Sequence, residues 1–320
     1  MHEISAIIPT TGRRELREAL LSAKGQEGTQ VETVVVCDTD RVPRIVGGMR
    51  PHIDVLLLTG GGRGAAHARN LAVHHASTPW VAYLDDDDTW LPGKSVLQLG
   101  VARKLLREGW EPVVSSRVHQ RLPGRPPTRV ATPRVLIAPG QAPESYLFRR
   151  RRPGLHRAML ATPTLLTRRE FALRLPWNAD LPRHQDWELL VQAHRVPGTR
   201  IVQLPQATAT VTVGSPGSVS ARADWCSSLE WVRGWSQSWD PRVTADFLVS
   251  QVLRYALQEH DLRAAAAILA EASRHASPCP TCLFHALVSV LPRRVRERIA
   301  LFDRFHRAPR GPVAGGIACP

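Results

Sequence analysis

Long apolar runs and targeting signals are missing from this chain of 320 residues. No run of about 18 apolar residues occurs, so the sequence predicts no transmembrane helix. The stretch from Met1 to Ser5 leads directly into a strand-like run, without a basic segment or a cleavage site, so we expect no secretory signal. These absences favour a cytoplasmic protein, and they leave open a peripheral contact with the inner face of a membrane.

Cysteines are few: the five present are odd in number and scattered along the chain, which argues against a disulfide framework. Cys279 and Cys282 have CxxC spacing, but a four-ligand zinc site needs two more ligands. His275 and His285 are available on the flanking helical segments. The spacing allows a zinc or a redox site, and the alternative, a turn between two helices, is what the sequence favours.

Lysine is scarce, because Lys24, Lys94 and Lys104 are the only lysines in a chain with a formal net charge of +14. A basic chain can bind nucleic acid. However, this charge is mostly arginine and is concentrated in residues 113–174, which hold thirteen arginines and two glutamates. The tryptophans are not interleaved with that segment as a base-stacking surface would require. Nucleic-acid binding is therefore only an alternative.

Four short apolar runs of strand length alternate with helical patterns in the first quarter of the chain. They span residues 4–9, 31–37, 53–58 and 80–84. Nearly uniform apolarity in alternating strands predicts a parallel sheet covered by helices on both faces. In such sheets ligands bind beyond the carboxyl ends of the strands.

Later patterns are weaker, but they still allow a division into domains. We expect a helix at 96–107, a strand at 113–118, a loop at 121–145, a strand and short helix within 159–175, a helix at 186–194 and a strand at 199–213. Helical patterns continue from about residue 240 to 306. We predict an α/β domain over residues 1–222, a helical region over 223–308 and a flexible tail over 309–320.

Four consecutive carboxylates, Asp85 to Asp88, follow the strand that ends at Leu84. They repel one another, and a divalent cation would relieve that repulsion. Mg²⁺ and Mn²⁺ take oxygen ligands, often one or two carboxylates with substrate phosphates. Asp-x-Asp spacing at a strand end lets alternate carboxylates face one ion. The sequence thus predicts a metal–diphosphate site, with a solvated acidic loop or a calcium site as the alternative.

Several motifs in order resemble the family 2 glycosyltransferases of GT-A fold. They are Ile7-Ile8-Pro9-Thr10, Val34 to Asp38, Gly64 to Asn70, Leu84 to Asp88, and the two acceptor-side segments Ala161 to Arg169 and Leu181 to Leu189. The resemblance covers about residues 3–222. It implies an α/β fold of GT-A type, Rossmann-like with a mostly parallel sheet, followed here by a C-terminal helical appendage.

The resemblance implies roles on the donor side of the site. Pro9 and Thr10 would lie against the nucleotide, and Asp38 would accept a hydrogen bond from the base, usually uracil. Arg69 and Asn70 would support the sugar-nucleotide pocket. The alternatives are a loop cap for Asp38, and a salt bridge and a helix-terminus hydrogen bond for the other two.

The acidic cluster would then share two tasks. Asp85, Asp86 and Asp87 are expected to bind the donor nucleotide sugar. Asp85 and Asp87 would hold Mg²⁺ or Mn²⁺, with Asp88 close to the sugar and counted among the metal ligands.

Asp186 would be the catalytic base. A carboxylate within hydrogen-bond reach can take the proton of an acceptor hydroxyl as that oxygen attacks the anomeric carbon. The metal would stabilise the leaving diphosphate, and a single displacement inverts the anomeric centre. The alternative is that Asp186 only caps the helix that begins there.

The chain departs from the family pattern at two places. Gln185 stands where the family usually has Glu before the base, and no His precedes the Gly-Ser segment of Val211 to Ser220. Ser218, Ser220 or Arg222 would have to replace that His. The Gln-x-x-Arg-Trp motif of processive synthases is also absent, which favours a single transfer.

We therefore expect an inverting glycosyltransferase that moves a sugar from a nucleoside-diphosphate sugar, usually UDP-linked, to a hydroxyl of a glycan, a lipid-linked acceptor or a small molecule. A nucleotidyltransferase is the nearest rival, since Thr10 to Arg14 is a thin version of its basic glycine loop. A catalytically silent sugar-nucleotide sensor is a third possibility. Arg149 to Arg152 and the basic stretch 283–305 would lie at the surface, contact an anionic acceptor or membrane, or pack on the domain.

Overall fold

The computed structural model describes residues 2–149, 158–214 and 223–291. These residues form two compact units, the first made of 2–149 and 158–214 and the second of 223–291. Several predictions lie outside the described residues. They concern the tail at 309–320, arginines 150–152, the replacements at Ser218, Ser220 and Arg222, and the basic stretch beyond residue 291.

An eight-stranded sheet forms the centre of the first unit. Its strands are β1 (Ile4–Thr10), β2 (Val31–Cys37), β3 (Val55–Leu58), β4 (Trp80–Tyr83), β5 (Thr89–Trp90), β6 (Glu111–Arg121), β7 (Leu166–Arg168) and β8 (Thr199–Thr212), in the order β3-β2-β1-β4-β7-β6-β8-β5. The first four strands are parallel, and Ile4 pairs with Val31 on one side and with Trp80 on the other. β7 and β5 run antiparallel to their neighbours. The sheet is therefore parallel in its first half, as predicted, and mixed in its second.

In the described part of the first unit, this sheet is accompanied by the helices α1 (Leu16–Lys24), α2 (Arg44–Gly48), α3 (Gly64–His75), α4 (Lys94–Arg107), α5 (Pro143–Phe148), α6 (Arg169–Arg174) and α7 (Gln185–Arg195). Every residue of β1, β2 and β4 is buried. α1 packs on β2, and α3 packs on β1 and β2. The uniform apolarity of these strands follows from that cover, because a strand buried on both faces has no polar side to present.

The predicted elements differ from the observed ones mainly in the second half of the first unit. β7 begins at Leu166, because Thr162–Thr164, with Pro163 at its centre, forms a 3₁₀ turn. The predicted loop at 121–145 reaches into α5, which begins at Pro143. β5 has only two residues and was not predicted; its pairing with β8 defines it.

The second unit is helical in its described residues. Its helices are α8 (Trp225–Trp235), α9 (Pro241–Phe247), α10 (Arg254–Gln258), α11 (Leu262–His275) and α12 (Pro280–Val288), with a π-helical segment at Leu248–Leu253 that joins α9 to α10. The side chains of Asp224, Asp240 and Asp261 accept hydrogen bonds from backbone N–H groups at the starts of α8, α9 and α11. Among the described residues, no helix has both the length and the apolar character needed to cross a membrane.

Candidate active site

The residues singled out from the sequence gather where β1, β2 and β4 end. Because these strands are parallel, their carboxyl ends lie at one edge of the sheet. Pro9 and Thr10 close β1 and are buried, and the backbone N–H of Asp38 donates to the carbonyl of Thr10 over 2.8 Å. The acidic cluster, Asp85 to Asp88, follows β4 directly.

Asp86 points into the protein. It is 7 % exposed, and its Oδ2 accepts a hydrogen bond of 2.6 Å from Oγ1 of Thr10. Burial raises the pKa of Asp86 to about 6, although the Thr10 bond and the nearby Arg13 act in the opposite direction. Asp86 thus ties the cluster to the end of β1.

Asp88 also points inward and is anchored by β8. It is 3 % exposed, and its Oδ1 accepts from the backbone N–H of Thr212 over 2.7 Å. The hydroxyl of Thr212 donates to the carbonyl of Asp87 over 2.6 Å. Burial raises the pKa of Asp88 well above its ordinary value, and the negative charge of Asp85 adds to that shift.

Asp85 and Asp87 are the two more accessible members of the cluster, with side chains 32 % and 16 % exposed. Oδ2 of Asp87 lies 3.1 Å from Nη1 of Arg13. Oδ1 of Asp85 accepts a hydrogen bond of 2.5 Å from Nη2 of Arg69. Alternate carboxylates of the cluster are therefore the more accessible ones, and each of the two pairs with an arginine. Their binding of one shared metal ion stays a prediction.

Arg69 and Asn70 are neighbours on α3, and the side chain of each contacts Trp177. The guanidinium of Arg69, which is 7 % exposed, lies 4.4 Å from the centre of the Trp177 ring. The side-chain amide of Asn70 donates to the carbonyl of Trp177 and accepts from its backbone N–H, each over 2.8 Å. Trp177 in turn packs edge-on against Tyr83. Asn70 thus fixes the loop that carries the ring beside Arg69.

Asp38 accepts three hydrogen bonds. Its Oδ1 accepts from the Thr59 hydroxyl over 2.5 Å and from the N–H of Arg63 over 2.8 Å, and its Oδ2 accepts from the N–H of Gly64 over 2.8 Å. Burial acts to raise the pKa of Asp38, but these hydrogen bonds outweigh it and the net shift is downward. Asp38 therefore caps the start of α3, and a carboxylate with about four acceptor positions keeps room for another donor.

Asp186 lies in the first turn of α7, which follows His184 in a left-handed conformation (φ 63°). The residue as a whole is partly exposed, and desolvation of its carboxyl raises the pKa of Asp186. Hydrogen bonds from the backbone of Trp187 and from its own N–H act against that shift. The positive charge of Arg69 lowers the pKa and the negative charge of Asp85 raises it. Asp186 therefore shares one electrostatic neighbourhood with the Arg69–Asp85 pair.

Four residues of this neighbourhood had no assigned site role in the sequence. Trp177 supports Arg69, while Arg13 and Thr212 hold the acidic cluster. Arg121 donates to Glu18 over 3.0 Å and to the carbonyl of Asp87 over 3.5 Å. Of these four, only Arg13 was marked by a sequence pattern, because it lies in the segment Thr10 to Arg14 that resembles the basic glycine loop of a nucleotidyltransferase. The others act through pairings between distant segments, which no local pattern marks.

Comparisons with known proteins show which sequences and folds this chain is similar to. Residues 5–107 match the family model described as "Glycosyl transferase family 2". The chain is 38 % identical over 78 residues to the succinoglycan biosynthesis protein ExoO of Rhizobium meliloti, a match that covers 24 % of this chain and 22 % of that protein. It is 26 % identical over 142 residues to an uncharacterized glycosyltransferase of Haemophilus influenzae, covering 42 % and 48 % of the two chains. The matched region thus spans less than half the length of either relative.

Solved structures of similar fold include S. aureus TarS. The structure of TarS 1–349 in complex with UDP-GlcNAc superposes with a TM-score of 0.57 at 16 % identity, covering 96 % of this chain and 93 % of that one. Another crystal structure of TarS 1–349 gives a TM-score of 0.53 at 18 % identity, with 90 % of each chain covered. At this identity the likeness concerns the fold alone. The predicted fold class, GT-A with C-terminal helices, is confirmed.

Proposed function

We propose that this chain, which carries a glycosyl transferase family 2 domain in residues 5–107, transfers a sugar from a nucleoside-diphosphate sugar to an acceptor hydroxyl with inversion. One observation carries the proposal. The carboxylate of Asp85, just after β4, pairs with Arg69, and the charges of both residues act on Asp186 in the first turn of α7. A carboxylate for the metal and a second carboxylate for the acceptor proton are what a single displacement at an anomeric carbon requires.

The donor nucleotide would bind across the ends of β1 and β2. Asp38 is fixed in place by three hydrogen bonds, so its remaining acceptor capacity has a defined direction. A base N–H, such as that of uracil, is a suitable donor to it. UDP is our first choice of nucleotide, by analogy with the UDP-GlcNAc complex of S. aureus TarS.

Asp85 and Asp87 would hold Mg²⁺ or Mn²⁺, with Asp88 behind them. The donor set fits such an ion, because it consists of carboxylate oxygens and its two outer members are the accessible ones. When bound, the ion would neutralise the charge of the leaving diphosphate. The chain's own part is to orient the carboxylates, and Arg13 and Arg69 do so by pairing with Asp87 and Asp85.

Asp186 would act as the general base. Its raised pKa makes it a better proton acceptor than an ordinary aspartate, provided that it is ionised at the working pH. The residue is partly exposed in the first turn of α7, and we expect the acceptor hydroxyl to reach its carboxylate from there. The acceptor would be a glycan, a lipid-linked molecule or a small molecule. A cytoplasmic location with peripheral membrane contact stays a prediction.

The proposal is tested by titrating UDP, GDP and a panel of their sugars, with and without Mn²⁺, in a calorimeter. We expect binding of one nucleoside diphosphate to tighten at least about tenfold with Mn²⁺, since a bound ion would offset the negative charges of the carboxylates and the diphosphate. Binding that ignores the metal would remove the metal assignment. Release of pyrophosphate from a nucleoside triphosphate and a sugar phosphate would instead identify the nucleotidyltransferase rival. Tighter binding of DNA than of any nucleotide sugar would favour the nucleic-acid rival.

A further inference from the structure

Two cysteines and an aspartate come together in the second unit. Cys279 precedes α12, Cys282 lies in the first turn of that helix, and Asp246 belongs to α9. One ligand atom from each side chain, two Sγ and one carboxylate oxygen, lie within 4.8 Å of one another. The sequence favoured a turn between helices for the CxxC segment. The structure adds a third potential ligand, 33 residues earlier in the chain than Cys279.

Burial makes this cluster unusual. Cys282 is 0 % exposed and Asp246 is 3 % exposed, and both cysteines are thiols. The backbone N–H of Cys279 donates to Oδ1 of Asp246 over 3.4 Å, a long bond that brings the start of α12 towards the carboxylate. The thiols are neutral until a metal ion displaces their protons. A divalent cation at the centre of the cluster would then be held by two thiolates and one carboxylate.

The chemistry of the three groups selects the ion. Thiolates are soft ligands that favour zinc, whereas Mg²⁺ and Mn²⁺ favour oxygen ligands. Around a tetrahedral zinc with Zn–S bonds of about 2.3 Å, neighbouring ligand atoms lie about 3.8 Å apart. The three ligand atoms lie within 4.8 Å of one another, which exceeds that separation by about 1 Å. Small side-chain rotations can close this difference. The acidic cluster of the first unit offers oxygen only, so the two sites should take different metals.

We propose that Asp246, Cys279 and Cys282 bind one structural zinc ion. Binding forms two Zn–S bonds and one Zn–O bond, and the two thiol protons pass to solvent. The ion would fasten α12 to α9, next to the π-helical segment that begins at Leu248. The fourth position is left for water or for His285, which follows Cys282 by three residues and so lies on the same face of α12.

Metal analysis tests the proposal directly. The full chain is produced without a polyhistidine tag, dialysed, and analysed for zinc by elemental mass spectrometry. We expect about one zinc per chain in the wild type, and less than about a tenth of that in Cys279→Ser, Cys282→Ser and Asp246→Asn. Cys226→Ser is the matched control, since Cys226 is exposed in the same unit, and it should keep its zinc.

A second measurement does not depend on any variant folding. Replacing zinc with Co²⁺ in the wild-type protein should produce a near-ultraviolet band from thiolate-to-cobalt charge transfer together with intense visible bands of tetrahedral cobalt. Wild-type protein that holds no zinc and shows no thiolate band with Co²⁺ would overturn the proposal. A disulfide between Cys279 and Cys282 in metal-free protein, formed in place of metal binding, would make the pair a redox couple instead. Neither outcome depends on whether the first unit transfers sugar.

Discussion

Arg69 holds Asp85 by a hydrogen bond of 2.5 Å while its guanidinium lies 4.4 Å from the centre of the Trp177 ring. The guanidinium of Arg69 is therefore held by two contacts, a hydrogen bond to the Asp85 carboxylate and a cation–π contact with the Trp177 ring. A stacked guanidinium pairs with a carboxylate in a defined direction, which a lysine cannot reproduce. The pair would thus orient Asp85 for a metal ion, and the positive charge of Arg69 lowers the pKa of Asp186 while the negative charge of Asp85 raises it.

Replacing Arg69 should therefore impair transfer more than metal binding. In Arg69→Met we expect kcat/KM to fall by about 10²–10³, as when one electrostatic donor is removed from an active site. Mn²⁺ affinity should change by less than about tenfold, because Asp85 is freed from a competing cation. The kcat/KM of Arg69→Lys should lie between that of the wild type and that of Arg69→Met, since lysine keeps the positive charge and loses the planar contact with Trp177. Steady-state kinetics and Mn²⁺ titration measure both quantities.

Arg103→Met is the matched control for that variant. Arg103 also pairs with a carboxylate at 2.5 Å, that of Glu3, but both side chains are more than 40 % exposed. Exposed pairs contribute little, so kinetics and stability should stay close to wild type. Equal losses in the Arg69 and Arg103 variants would show that the Arg69–Asp85 pair has no special part in the reaction.

Asp186→Asn should separate binding from chemistry. The amide keeps the size of the carboxylate but cannot accept the hydroxyl proton, so kcat should fall by about 10²–10⁴ while the Kd for UDP with Mn²⁺ changes little. Asp180→Asn is the control, since Asp180 is an exposed aspartate six residues earlier. Calorimetry and a transfer assay check the prediction. Full activity in Asp186→Asn would show that another group is the base. Asp186 would then only stabilise the start of α7.

Much of this site could be predicted because its backbone is simple. The uniformly apolar runs that became β1, β2 and β4 required burial on both faces, and parallel strands bring Thr10, Asp38 and Asp85 to one edge. The sequence could not predict which carboxylates among Asp85 to Asp88 are buried and which are accessible. This difference depends on Thr212 in β8 and on Arg13 after β1, which reach the cluster only through tertiary packing.

Trp177 shows a second limit of sequence reasoning. Nothing in its neighbourhood marks it, yet it positions Arg69 and is itself held by Asn70. Asn70 was expected to support the donor pocket, and the structure places its side chain against the backbone of Trp177. A sequence motif identifies residues that belong to one site, but it does not show which partner each side chain contacts.

Asp38 should affect two properties at once. It caps α3 through Arg63 and Gly64, so Asp38→Ala should lower the free energy of unfolding by about 1 kcal/mol, as loss of a helix cap does. It should also weaken UDP binding by about tenfold, since one hydrogen bond to the base is lost. Urea unfolding and calorimetry measure the two effects. Asp40→Ala, at an exposed site nearby, should change neither. Loss of stability with unchanged nucleotide affinity would leave Asp38 with the cap alone.

Lys94 carries the clearest pH dependence of stability. It is 0 % exposed in α4, its Nζ donates to Oε1 of Gln98 over 2.5 Å, and it lies 4.2 Å from the centre of the Trp90 ring. Burial lowers the pKa of Lys94 to about 7. The unfolded chain, with an ordinary lysine pKa of about 10.5, binds one more proton than the folded protein between pH 7 and 10. Stability from this residue therefore rises with pH across that window.

Lys94→Met removes that dependence, because methionine fills similar space and does not titrate. The difference in unfolding free energy between wild type and Lys94→Met should shift in favour of the wild type by about 1.4 kcal/mol per pH unit from pH 7.5 to 9.5. Below about pH 6 the difference should be constant, since lysine is then protonated in both states. Urea midpoints at each pH, with the slope of the transition checked for constancy, give the values.

Lys104→Met supplies the control within the same helix. The side chain of Lys104 is 70 % exposed, so its removal should leave the pH slope of stability unchanged. All other titrating groups are common to the compared proteins and cancel in the difference. Parallel pH curves for wild type and Lys94→Met would mean that Lys94 stays protonated when folded. Its ammonium would then be stabilised by Gln98 and the face of Trp90 strongly enough to offset burial.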